Sequence, residues 1–443
     1  MTAVVAPITA LLIGVALLLM GNGLQGTLLP IRADLEAFST IDIGILGSSY
    51  FFGFALGCLG GPWLVRRAGH IRTFAAIVAI ASSIVLAHAL ITNAAVWWGL
   101  RAGSGFCFAV LYMVIESWLN ERATNENRGL IFSIYTIINL TVITVGQMML
   151  ILADPADFVL FGLASILVSL AAVPVALTRA QAPAPIDQVK IRIRTLYHQS
   201  PVGVMGCATV GLANGAFWAL GPIFAQRDTG DTTNVALFMS IAVIAGAVGQ
   251  WPLGRWSDRI DRRKVIVLAS AGSALAAIIM TWLAHSDSVL LTYSVFLFGF
   301  FAFPLYALSI AHMNDFVQPE NYVETASGLL LVYAAGAVAG PLLASLATDI
   351  FGIRSLFAYT ALIHIGLVAF AGYRMRQRTP APVAEHIAFA DALRVAQTVA
   401  PIDPLSESEH SAHGEESAPS HMRQHDMEDD VPSAHSGPEK ETR

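Results

Sequence analysis

The chain has 443 residues, of which 55% are apolar and only 13% charged, with a formal net charge of −6. A soluble protein of several domains carries about a quarter charged residues. The composition therefore excludes that class, and it equally excludes a disordered or collagen-like chain. Cys58, Cys107 and Cys207 all fall inside apolar runs and give no disulfide or metal-ligand spacing.

From the first residues onward, apolar stretches of about 20 residues recur, each long enough to cross a bilayer as a helix. Twelve are read, near 8–30, 42–65, 73–92, 95–118, 129–152, 157–178, 202–224, 234–253, 264–285, 288–311, 325–347 and 354–373. Most lack the polar stripe of a helix on a soluble core. They are also too long and too little alternating for barrel strands. The expected fold class is all-α integral membrane, with twelve transmembrane helices. Residues 1–7 carry no Lys or Arg and the first run outlasts a signal-peptide core, so it reads as a retained helix.

Lys and Arg are sorted by side. The even-to-odd connections hold 14 of them, against Arg32, Arg227 and Arg354 on the other side. The positive-inside rule then puts those connections and both termini in the cytoplasm. The charge of −6 belongs to the tail. Residues 1–373 hold 18 basic and 18 acidic residues, whereas 374–443 hold 7 basic and 13 acidic.

The two parts of the chain repeat. Asn22-Gly23 and Pro30-Ile31 in the first span recur as Asn214-Gly215 and Pro222-Ile223 in the seventh, at an offset of 192. Ser48 and Gly57 recur at the same offset as Ser240 and Gly249. After spans 2 and 8 come the related loops GGPWLVRRAGHIR (60–72) and GRWSDRIDRRK (254–264). Two parallel six-helix halves are a transporter architecture. The expected domains are a first half (1–178), a central cytoplasmic loop (179–201), a second half (202–373) and a disordered, acidic, His-containing cytoplasmic tail (374–443). Within that tail, helical spacing around 383–399 suggests a segment lying on the membrane.

The loop at 254–264 resembles the signature loop of the major facilitator superfamily, with Gly254, Asp258, Arg259, Arg262 and Arg263 in its positions and Asp261 where that family usually has Gly. The first-half copy keeps Arg67, Gly69 and Arg72 but has Val65 or Arg66 in place of the Asp. Glu116-Ser117-Trp118-Leu119, Arg128-Gly129 and Ala311-His312-Met313-Asn314-Asp315 look like the YcaD-like branch of bacterial permeases. The resemblance implies the major facilitator fold, a bacterial inner-membrane location, and a central cavity lined by spans 1, 4, 7 and 10. On those spans lie Asn22, Gln25, Arg101, Tyr112, Asn214, Trp218 and Tyr306 as candidate substrate contacts.

Polar groups in lipid are costly unless satisfied, so each is a candidate for function. At ~1.5 Å per residue, Asn22 and Arg101 come to nearly the same depth. Arg101 presents a fork that matches a carboxylate or phosphate. Tyr135 and Asn139 stand one turn apart on span 5 and complete the expected binding set. Glu116, near the cytoplasmic end of span 4, reads as half of an ionic inner gate. Its other members are Arg66, Arg67, Arg72, Arg128, Gly254, Asp258, Arg259, Arg262, Arg263 and Asp315. No nucleotide-binding loop, nucleophile–base pair or metal constellation is read, so the chain is expected to be no enzyme and to need no cofactor or metal. The expected function is secondary active or facilitative transport of a small anionic or zwitterionic molecule by alternating access. The expected partners are that molecule and the lipid bilayer, with no nucleic acid, and the chain is expected to be a monomer. The alternative is a non-transporting receptor or scaffold that signals through the tail.

Overall fold

The computed structural model of the protein describes residues 8–123, 127–177, 189–190, 193–283, 288–318, 321–379, 386–396 and 402–403. Among them are twelve helices long and apolar enough to cross a membrane. In the first half they are α1 (Thr9–Leu35), α2 (Thr40–Ala68), α3 (His70–Leu90), α4 (Ala94–Arg122), α5 (Arg128–Met148) and α6 (Val159–Ala176). In the second they are α7 (Pro201–Thr229), α8 (Thr232–Ser257), α9 (Arg262–Leu283), α10 (Leu290–Asn314), α11 (Tyr322–Phe351) and α12 (Ser355–Gln377). Each coincides with an expected span. Several run past the apolar stretch, as α2 does through Arg66 and Arg67, because the hydrogen-bonded helix continues where polar side chains reach water.

Local chemistry sets the ends. Ser39 and Asp42 form a reciprocal capping box at the start of α2. Asn93 caps α4 through the Val96 amide, and Ser200 caps α7 through Gly203 with Pro201 in the first turn. The α7–α8 turn needs a left-handed residue and has Gly230 there, at φ 66°. Pro304 interrupts α10, splitting it after Ala302 and restarting it at Leu305.

The halves repeat in packing as well as in sequence. In the first, α1 packs on α5 and α6, α2 on α4, and α3 on α4 and α6; in the second, α7 packs on α11 and α12, α8 on α10, and α9 on α10 and α12. Across the halves, α2 meets α11 and α5 meets α8, a pair related by the same repeat, and α7 lies against α1 and α2. The Gly336 and Gly340 positions of α11 bring its backbone against the carbonyls of Ala208 and Leu212 on α7. The tightest crossing joins α2 to α4. A Cβ at Gly53 would overlap the Ala102 carbonyl, and one at Gly105 would overlap the Tyr50 carbonyl.

The tail differs from its expectation over one stretch. Residues Phe389–Ala396 form a helix, α13, packed on α8, α10 and α11. Phe389 and Ala392 are buried against protein, where the spacing had suggested a membrane surface. Beyond it, Ile402–Asp403 pairs in parallel with Val189–Lys190 of the central connection. Of the segment expected to be disordered, 380–385, 397–401 and everything from 404 onward lie outside the described residues, as do most of 179–192.

Candidate functional site

A cavity of about 200 Å³ lies between the halves. From the first half it takes Asn22, Gly26 and Thr27 of α1, Tyr50 and Phe51 of α2, Arg101 of α4 and Gln147 of α5. From the second it takes Trp218 and Ala219 of α7 and Tyr333 of α11. The 192-residue offset relates Gly26 to Trp218 and Thr27 to Ala219, so the repeat places its two copies on opposite walls. A glycine in one half faces an indole in the other.

The α2–α4 crossing builds the polar end. Because Gly53 and Gly105 let the two backbones touch, the Tyr50 ring reaches the Arg101 guanidinium, whose Cζ lies 4.3 Å from the ring centroid. A desolvated cation on an aromatic face gains up to about 2 kcal/mol, well short of the cost of burying an unpaired charge. No carboxylate pairs with Arg101 among the described residues, and its Nη1 is buried without a hydrogen-bond partner. The Oε1 of Gln147 is likewise buried and unpartnered. The Asn22 side chain interacts with the hydroxyls of Tyr50 and Tyr112. Among the described residues no acidic side chain lines the cavity. The opposite wall is aromatic and braced from behind. Trp218 stacks on Phe303 at 5.6 Å, and Tyr333 lies 5.0 Å from Tyr306.

Of the residues expected to bind substrate, Asn22, Arg101 and Trp218 line this cavity together. Tyr112 and Tyr306 stand one layer behind it, against Asn22 and Tyr333. Gln25 and Asn214 are buried elsewhere, Gln25 with both amide atoms unpartnered and Asn214 with its Oδ1 unpartnered. Tyr135 is fully buried beside Phe132, and Asn139 is half-buried off the cavity wall. Tyr50, Phe51, Gln147 and Tyr333 were not foreseen. Tyr50 does carry a signal, because Gly47, Tyr50, Gly53 and Gly57 follow at helical spacing and mark one close-packed face of α2.

The expected gate residues fall into two groups. Arg66, Arg72 and Arg259 are exposed, Arg67 is exposed over the Trp63 ring at 5.2 Å, and Glu116 is buried on α4. The side chain of Arg128 lies outside the described residues. The others lie within the second half, where all but Gly254 pair with one another or with Asp261. Buried Arg262 lies 3.1 Å from Asp258 and 3.4 Å from Asp315, and Arg263 lies 2.8 Å from Asp261. Burial pushes the Asp315 carboxyl up to about 6, against the pull of Arg262. Burial would also raise Asp261, but the hydrogen bonds and charge of Arg263 hold it below the ordinary carboxylate range. Gly254 faces the Phe389 ring of the tail.

A described ion pair joins the halves at the opposite end. Arg227 of α7 reaches Asp34 of α1 at 2.5 Å, beside the Arg32–Glu36 pair, and Arg32 also donates to the Pro155 carbonyl at 3.3 Å. Nearby, Ser48 donates to the Val338 carbonyl across the α2–α11 contact at 2.7 Å. A partly exposed pair of this kind contributes about 0.2–1 kcal/mol. Asp34→Asn is therefore expected to raise the population open at that end by up to about fivefold. Spin-label distances between α1 and α8 would read it, and the exchanged pair Asp34→Arg with Arg227→Asp should restore the parent distribution.

The sequence model of the Major Facilitator Superfamily matches residues 11–333 and 203–407. The chain is 26% identical over 359 residues to an uncharacterised MFS-type transporter, YcaD, of Escherichia fergusonii, covering 81% of this chain and 93% of that one. It is 26% identical over 384 residues to YcaD of Escherichia coli O139:H28, covering 85% and 98%. Among solved structures it is similar to the nucleoside transporter NupG, with a TM-score of 0.66 and 15% identity over 84% of this chain and 99% of that one. It is also similar to a bacterial homologue of the human lysosomal transporter Spinster in an inward-facing, occupied conformation, with a TM-score of 0.71 and 13% identity over 86% and 97%. Identities this low speak for the fold alone.

Proposed function

The chain belongs to the Major Facilitator Superfamily, a family of membrane transporters, and from that premise we propose that it carries a small anion through the cavity between its halves by alternating access. The observation that carries the reading is the Nη1 of Arg101, a buried donor on a permanent cation with no acceptor among the described residues, at the wall of a cavity whose described lining holds no carboxylate. A bound carboxylate or other oxyanion supplies the missing acceptor and the missing charge together. The Tyr50 face already holds Arg101, so the ammonium of a zwitterion would have to lie against the opposite aromatic wall of Trp218 and Tyr333. Gln147 offers an acceptor for a hydroxyl or N–H on the same molecule. A volume of about 200 Å³ equals roughly seven waters at about 30 Å³ each, which favours a compact metabolite. The excess of Lys and Arg in the even-to-odd connections supports a chain with both termini in the cytoplasm and the Asp34–Arg227 pair outside.

The test is a thermal-shift and tryptophan-fluorescence panel on purified protein, followed by flux in proteoliposomes for each binder. The panel pairs carboxylates with the corresponding amines, amino acids and neutral alcohols. Carboxylates are expected to bind and move. Binding confined to amines or neutral compounds would overturn the assignment.

A further inference from the structure

We propose that the basic end of the second half carries a docking site for the chain's own residues 386–392, and that occupation of this site competes with closure of that end against the first half. The competition rests on the alternating-access reading above; the docking site itself does not.

The site is built from both backbone and side-chain recognition. Asp258 Oδ1 accepts from the Phe389 amide at 2.9 Å. Asp315 Oδ1 accepts from the Ile387 amide at 3.3 Å, and Arg262 Nη2 donates to the Ile387 carbonyl at 2.7 Å. Two carboxylates and one guanidinium thus read three main-chain groups of a short segment, and Arg262 ties the carboxylates to each other. Charge-assisted bonds of this kind are about twice as strong as neutral ones. The Phe389 ring fills the place a side chain would take at Gly254; a Cβ there would overlap it. Phe389 is 6% exposed and Ala392 0%. Upstream, Arg263 donates to the Arg378 carbonyl and Arg378 to the Gln199 carbonyl, both at 2.7 Å, so the segment leaves α12 already anchored.

Its position makes it a competitor. The helices under α13 include α8 and α11, the two that meet α5 and α2 of the first half. Farther along, Ile402–Asp403 lies against α2 itself. The described parts of the segment thus touch both halves, α13 the second and Ile402–Asp403 the first. The opposite end is meanwhile held by Asp34–Arg227. The segment covers Gly254 and Asp258 at the basic end of α8, and on this proposal that covered surface is the one closure against the first half would use.

The experiment uses the full chain in nanodiscs with spin labels at Leu35→Cys and Thr233→Cys, exposed positions on the two halves at the Asp34–Arg227 end. The natural cysteines are buried. Phe389→Asp and Ala392→Glu are the undocking variants, and Ala390→Glu, at an exposed position of the same helix, is the control. Hydrogen exchange reports docking, and the label distance reports the conformation. Both undocking variants are expected to speed exchange of the Ile387 and Phe389 amides at least tenfold and to at least double the longer-distance population, with the control unchanged. Free exchange of those amides in the parent chain would overturn the docking site. Fast exchange with an unmoved distance distribution would overturn the competition. Asp34→Asn separates the two layers. If it lengthens the distance and the tail variants do not, the tail inference alone fails; if nothing lengthens it, the alternating-access reading fails with it.

Discussion

Arg101→Met is expected to abolish transport of the anion and to make the empty protein more stable. Losing a charge-assisted bond removes about 1.5–3 kcal/mol of binding, roughly 10- to 150-fold in affinity at 1.4 kcal/mol per tenfold. The same change removes a buried, unpaired cation whose burial nothing in the protein fully offsets. A residue held only for packing gives the opposite signature, since its truncation lowers the melting temperature. The measurement is the thermal midpoint of parent and variant with and without the ligand. A variant less stable than the parent, with its ligand-induced shift intact, would return Arg101 to a structural role. Arg101→Lys tests the fork, because an ammonium keeps the charge but cannot bind bidentately. It is expected to retain weak binding and lose most of the flux.

Gly105→Val is expected to cost about 1–3 kcal/mol or more in stability, the range for inserting bulk into a packed core, because the added carbon meets the Tyr50 carbonyl and not a movable side chain. It also acts on the site. The crossing of α2 and α4 is what brings Tyr50 over Arg101, so pushing the helices apart withdraws the ring from the guanidinium. The expected result is a lowered thermal midpoint together with weakened anion binding. Gly99→Ala, on the same helix where a Cβ meets nothing within 4 Å, is the control. It should leave both unchanged or raise the midpoint slightly through helix propensity. Equal effects at the two positions would mean that flexibility, not contact, is what the glycines supply.

The spans and the two halves were legible because bilayer thickness imposes a length and a composition that survive without any packing information. Arg101 was legible for a related reason: a guanidinium in a span is costly enough to need an explanation wherever it faces. Faces are what the sequence hides. Around a nearly uniform apolar helix nothing distinguishes the wall of a cavity from a lipid surface, so Tyr135, fully buried in α5, and Tyr50, on the cavity, look alike. Tyr306 and Tyr333 exchanged roles for the same reason, the expected one standing behind the other. The repeat helped unevenly. It pairs Gly26 with Trp218 on the walls, but Asn22 with Asn214, which is buried away from the cavity. The acidic residues at 258 and 315 read from the sequence as gate members, yet part of what they bind is main chain of a tail whose composition gives no sign of a partner.

The cavity is chemically lopsided. Most polar groups on its wall — Asn22, Thr27, Tyr50, Arg101 and Gln147 — belong to the first half, and the second half offers the hydroxyl of Tyr333, the indole N–H of Trp218 and Ala219. Under the proposed alternating access, an anion held by Arg101 would be a passenger on one half, keeping its ionic bond while the other half swings past it. Its affinity at the two faces of the membrane then differs only by what the sliding aromatic wall adds or removes. Changes at Trp218 and Tyr333 should therefore tilt the direction of net flow and the retention of cargo, whereas changes at Arg101 decide whether anything boards at all.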